Sequence, residues 1–183
     1  MQSTHATPQI YVMGRIVKAT NFDSGELFIK WELISGTNFK LIEGKIKGET
    51  FQGVVELQER KIFFDHPIMF NMSCKSVKGW PKFLIEVWAT DEHNRNHLIG
   101  YGTSFLPFTP GNVTINVPCW RPLEQISASL SETFLGNTAE FVDKSAVYST
   151  DERFGMYTLS TGNVVIECDI LMKDFNLHGI KVK

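Results

Sequence analysis

Apolar residues recur at every second position through most of this chain, the period of a strand with one buried face. In the segment from Gln9, Ile10, Val12 and Ile16 fall on one parity and Tyr11, Met13 and Val17 on the other, so this first strand reads as covered on both sides. Residues 21–25 are a turn by composition. Leu27, Ile29, Trp31 and Leu33 then alternate with Phe28, Lys30, Glu32 and Ile34, a half-buried strand. Residues 35–57 are the least regular, and the strand expected over 51–57 is weakened by Gly53. Ile68, Phe70, Met72 and Cys74 share a parity opposite Asn71 and Ser73, which predicts a strand with one wet face.

Residues 79–123 carry the densest run of apolar, aromatic and turn-forming positions, with three of the four tryptophans. Phe83, Ile85, Val87 and Ala89 alternate against Leu84, Glu86 and Trp88, and a polar turn at 90–96 leads back into Ile99, Tyr101, Thr103 and Phe105. Gly100, Gly102 and Ser104 occupy the other parity of that returning strand, where small residues let a neighbouring chain approach closely. A turn at 108–112 precedes a short strand through Val113, Ile115 and Val117. Pro122 suits the first turn of a helix, and Leu123, Ile126, Leu130 and Phe134 give an apolar stripe at helical spacing that Gly136 would stop. Residues 137–155 read as a long loop, and 156–159 with 164–172 as a last hairpin over 160–163, followed by a tail from Asp174. The pattern predicts an all-β protein, an antiparallel β-sandwich of about eight strands with one inserted helix. Residues 1–8 read as a frayed terminus and 9–180 as a single domain.

Composition narrows the function. A chain of 183 residues can bury roughly 70% of its unfolded surface and needs neither disulfides nor metal for stability. Its 18 basic and 20 acidic residues give a net charge of −2, with no general pull toward nucleic acid. No signal peptide and no membrane-spanning run is recognisable. The three cysteines, Cys74, Cys119 and Cys168, read as reduced thiols of the cytosol.

Candidate chemistry is sparse. Gly44-Lys45 lacks the upstream glycine and the following hydroxyl of a phosphate loop. His93 and His97 flank a turn, where a spacing of four does not bring side chains together as on a helix. Asp91, Glu92 and Asn94, with Asp23, form an oxygen-rich candidate that falls short of the roughly six to eight ligands of calcium. No catalytic, cofactor-binding or metal-ligating residue is expected. Lys75, Lys78 and Lys82 surround Gly79-Trp80-Pro81 and are the candidate patch for an acidic partner or an anionic headgroup. Trp80, Trp120 and Arg121 are the candidate partner interface, although a tryptophan beside a proline also fills corners.

Gly79-Trp80-Pro81, Val87-Trp88, Gly100-Tyr101-Gly102 and the run Pro118-Cys119-Trp120-Arg121-Pro122-Leu123 resemble the B9-domain family. Tyr148-Ser149 to Arg153 and Lys173-Asp174-Phe175 to Gly179 agree as well, so the resemblance runs from about Ile10 to Gly179. It implies a C2-like β-sandwich, no enzymatic activity and no cofactor. It implies a scaffold of the cytoplasm and cytoskeleton, at the basal body and transition zone of the cilium. There it would bind the other B9-domain proteins as a hetero-oligomer within the tectonic-like (Meckel syndrome) complex, supporting ciliogenesis and the barrier to membrane-protein diffusion. Calcium-binding C2 domains carry several aspartates in two loops, and only Asp91 and Asp23 stand in such places here, which implies no calcium site. A peripheral phospholipid-binding module is the competing reading.

Overall fold

The structure, a computed structural model, describes residues 7–55, 59–123, 141, 144–149 and 157–180. Among these, ten strands form one antiparallel sheet: β1 (Gln9–Thr20), β2 (Glu26–Ile34), β3 (Phe39–Gly44), β4 (Lys47–Glu49), β5 (Gly53–Val54), β6 (Lys61–Cys74), β7 (Lys82–Thr90), β8 (Asn96–Phe105), β9 (Gly111–Pro122) and β10 (Thr158–Lys173). Their order is β3-β6-β1-β10-β9-β8-β7-β2-β4, with β5 paired to β2.

Curling of this sheet makes the two layers of the expected sandwich. β9 and β8 share only the pairs Tyr101↔Trp120 and Gly102↔Cys119, so the sheet nearly parts at that seam into two limbs. Limb one is β3-β6-β1-β10-β9, and limb two is β8-β7-β2 with β4 and β5. Phe70 of β6 meets Phe83 of β7 with ring centroids 6.5 Å apart, and Trp31 of β2 meets His66 of β6 at 6.3 Å. Neither pair of strands is adjacent in the sheet, so these contacts run face to face across the core. Ile10, Val12, Ile29, Ile85, Val117, Ile166 and Ile170 fill the space between. These are the apolar-parity positions of their strands, and their alternation is the physical cause of the buried inner face.

Limb two is covered on its outer face as well. Leu84, Leu98 and Tyr101 pack there with Val147 of α1, a one-turn helix over Ser145–Tyr148. β7 is therefore buried on both sides, including Glu86, which is 5% exposed.

Several expectations are corrected. The predicted last hairpin is the single strand β10, which passes through Gly162 with a register shift instead of turning. A side chain at Gly162 would place its Cβ 2.6 Å from the Thr20 carbonyl oxygen, so the glycine serves a close approach at a bulge. β1 is not covered on both faces, because Met13 is 52% exposed. Of the strand expected over 51–57, only β5 forms among the described residues, and Phe51 projects into solvent. The count rises from about eight to ten with the short strands β3 and β4 of the irregular stretch. The tail folds back in part: a 3₁₀ turn over Phe175–His178 buries Phe175 in the main core. Pro122 ends β9 opposite Thr158 and does not open a helix, because its segment continues in the sheet; Ile126, Leu130, Phe134 and Gly136 of the expected helix lie outside the described residues.

Candidate partner interface

Trp80 stands in the corner between β6 and β7, and its ring is held from several sides. The indole Nε1–H donates to the Leu106 carbonyl at 2.6 Å. Phe108, Phe39 and Phe175 surround it, with centroids at 4.7, 5.7 and 6.5 Å and rings steeply inclined, the edge-to-face arrangement that aromatic quadrupoles favour. Gly79 enters the corner at φ +79°, and its carbonyl accepts the Gly36 N–H at 2.8 Å. The contacts of Trp80 are thus those of a corner-filler.

The three lysines around it separate. Lys75 and Lys78 are exposed in the loop between β6 and β7. Lys82 lies on β7, where its ammonium donates to the Tyr148 carbonyl and sits 5.5 Å and 5.1 Å from the Phe105 and Tyr148 ring centroids. It fastens α1 to the sheet.

Trp120 takes part in the same attachment. Its ring centroid lies 6.1 Å from Tyr101 and 6.4 Å from Phe141, and the Phe141 N–H donates to the Tyr101 hydroxyl at 3.0 Å. Lys144 reaches the buried Glu86 carboxylate at 2.5 Å, and the Trp88 indole N–H donates to the other oxygen at 3.3 Å. Phe141 and residues 144–149 therefore form a strap across limb two, pinned by apolar, aromatic and ionic contacts. Sequence patterning missed the strap because each of its partners lies far off in the chain; the signal available was the apolar opposite parity of β7, Leu84 and Trp88. Arg121 follows Trp120 on β9 and lines a cleft of ≈450 Å³ with His97 and Thr161 at one end of the sheet.

The acidic turn holds its charges internally. Asp91 accepts the His93 and Arg95 N–H groups at 2.8 and 2.9 Å and pairs with the Arg95 guanidinium at 2.7 Å. The Arg95 N–H bond above all brings its carboxyl down to about 2. Asp23 pairs with Arg60 at 2.5 Å. The two candidate calcium carboxylates are thus neutralised by arginines, and no cluster of three metal-ligating side chains occurs among the described residues. His93 lies in the turn and His97 on β8. The Lys45 N–H is bound to the Met69 carbonyl at 3.1 Å, so it is not offered to a phosphate. All three cysteines are free and buried, and burial pushes the Cys119 thiol to about 12 and Cys168 to about 11, which leaves no thiolate nucleophile near neutral pH.

The profile of the B9-C2 family, described as ciliary basal body-associated B9 proteins, matches residues 10–171. The chain belongs to the B9 family. This B9 protein is 31% identical to B9 domain-containing protein 2 of Bos taurus over 173 residues, 94% of this chain and 98% of that protein. It is 31% identical to B9 domain-containing protein 2 of Drosophila melanogaster over 96% of this chain and 99% of that protein. B9 domain-containing protein 1 of Xenopus laevis is 25% identical over 92% of this chain and 86% of that protein. Among solved structures, a C2 domain of plant extended synaptotagmin 1 covers 90% of this chain and 94% of its own length, at TM-score 0.42 and 11% identity. Membership in the B9 family also marks this protein as non-enzymatic.

Proposed function

We propose that this B9 protein is a structural scaffold of the ciliary transition zone, binding the other B9-domain proteins of its organism within the tectonic-like complex. In that role it supports ciliogenesis and the barrier to membrane-protein diffusion, at the basal body end of the cilium. The observation that carries the reading is the family match over residues 10–171, almost the whole of a chain built as one curled sheet. The described residues present sheet faces and edges, the surfaces such a scaffold offers its partners. The test is co-purification with the two other B9-domain proteins, with light scattering for stoichiometry. A stable complex of defined mass is expected, and elution of this chain alone at high concentration sinks the proposal.

A second reading, peripheral phospholipid binding, is favoured by one observation: Lys75 and Lys78 are both exposed in the loop between β6 and β7. It predicts sedimentation with acidic liposomes that is lost at high salt and in a Lys75→Glu, Lys78→Glu variant. Under either reading calcium is not a ligand, and isothermal titration is expected to show no stoichiometric site.

A further inference from the structure

The outer face of limb one carries an apolar groove that nothing in the described chain covers. Met13 of β1, Met69 of β6 and Leu171 of β10 are 52%, 57% and 58% exposed. They are neighbours in the sheet, since Met13 pairs with Met69 and Tyr11 pairs with Leu171. Between them lies a depression of ≈140 Å³, whose lining also includes Glu43 and Asn71.

Three features define what fits. Small-molecule pockets span about 300–1,000 Å³, so this one has room for a single side chain, not a metabolite. Its walls are apolar and rich in methionine, a residue enriched where proteins meet and able to reshape around a guest. The one charged side chain of its lining, Glu43, is acidic, with Lys40 and Lys173 standing one row further along the same face. Glu43 has no ion-pair partner among the described residues, and Asp169, opposite Met13, accepts only the neutral amide of Asn112, at 3.1 Å. Arg15, two residues along β1, is already held between Asp65 and Glu167, at 3.2 Å from each. The buried amide oxygen of Asn71, in the groove lining, has no hydrogen bond. An aliphatic stem ending in a cation suits this surface: the stem lies against methionine and leucine while the head meets the exposed Glu43 carboxylate.

We propose that this groove is a docking site for a protein partner that inserts one lysine or arginine, flanked by apolar residues, between Met13, Met69 and Leu171. The proposal rests on the protein-binding reading above and gives that reading a surface and a chemistry.

Two measurements test it, both on the full chain. In the first, methionine methyl groups are labelled with ¹³C and the chain is titrated with the capped tripeptides acetyl-Leu-Lys-Leu-amide and acetyl-Leu-Arg-Leu-amide. The Met13 and Met69 signals are expected to move while that of the buried Met72 stays put and reports the intact fold. The shifts should vanish with acetyl-Leu-Glu-Leu-amide and in Glu43→Lys; equal shifts with the acidic peptide, or none with the basic ones, overturn the basic-side-chain claim. In the second, binding to the other B9-domain proteins is compared for the native chain, Glu43→Lys and Met69→Ala, with Glu49→Lys on β4 as control. Affinity is expected to fall about tenfold or more in the groove variants only, the effect of losing a charge-assisted contact. If the native complex forms and the groove variants bind equally well, the groove proposal fails and the scaffold reading stands. If no native complex forms but the basic peptides bind, the scaffold reading fails and the groove remains as a basic-peptide site.

Discussion

Trp80 is fixed by one hydrogen bond and three aromatic neighbours, so its removal empties a corner to which β3, the β8–β9 loop and the C-terminal 3₁₀ turn all contribute. Trp80→Ala is expected to cost about 3–5 kcal/mol, a large part of the about 5–15 kcal/mol margin of an ordinary domain. A urea melt checks this, and lost partner binding in that variant would report unfolding unless the melt shows otherwise. Gly102→Val tests the opposite error. Its Cβ would stand 2.8 Å from Val117 Cγ1 and 2.9 Å from Cys119 Sγ at the seam between the limbs. Overpacking of that kind costs about 1–3 kcal/mol. The cysteines give a reactivity prediction: an aromatic disulfide reagent should label none of the three in the native protein at neutral pH and all three in denaturant. Asp91 supplies a pH prediction. Its folded carboxyl is depressed from 3.8 to about 2, so its contribution is present above the ordinary value and is lost as pH falls toward 2. A carboxyl titration followed by NMR should find Asp91 ionised well below the ordinary aspartate value, and Arg95→Ala should raise its midpoint.

At the scale of elements, the strap is the part whose attachment is most exposed to a single change. Lys144→Ala removes the ion pair of the buried Glu86 and leaves the Trp88 indole as its one hydrogen-bond partner among the described residues, with Lys30 opposite it on β2. Lys144 itself is half in solvent, so the expected destabilisation is about 1–2 kcal/mol, below the cost of breaking a fully buried pair. Limited proteolysis should then cut within residues 144–149 sooner than in the native chain while the sheet persists. The same elements show what is readable beforehand. β2, β7 and the inner parity of β10 stand out in the chain because alternation is a local signal that survives without knowledge of neighbours. The hairpin expected in place of β10 fails because a glycine at a bulge and a glycine in a turn look alike in sequence; only the Thr20 carbonyl close by separates them. The second parity of β1 reads as covered because Tyr11 and Met13 are apolar, yet burial depends on whether another element is available to cover them, and none of those described does so. Trp80 stays open between core and interface in the sequence for a related reason: its neighbours Phe39, Phe108 and Phe175 converge from three distant segments.

On the scale of the whole molecule, the placement of the first and last strands decides more than any one contact. β1 lies between β6 and β10, and β10 in turn lies between β1 and β9, so the middle of limb one is assembled from the first and the last of the described strands. A ribosome delivers β10 after the other nine strands of the sheet. Until it emerges, β1 and β9 each present an unpaired edge, the kind of surface on which nascent chains stick to one another. The long sequence separation of the β1–β10 pairs also predicts folding in the slow millisecond-to-second range or beyond. A stop codon that falls between β9 and β10, before residue 158, would therefore remove the centre of a layer, and its product should be met by chaperones and proteases, not by partners.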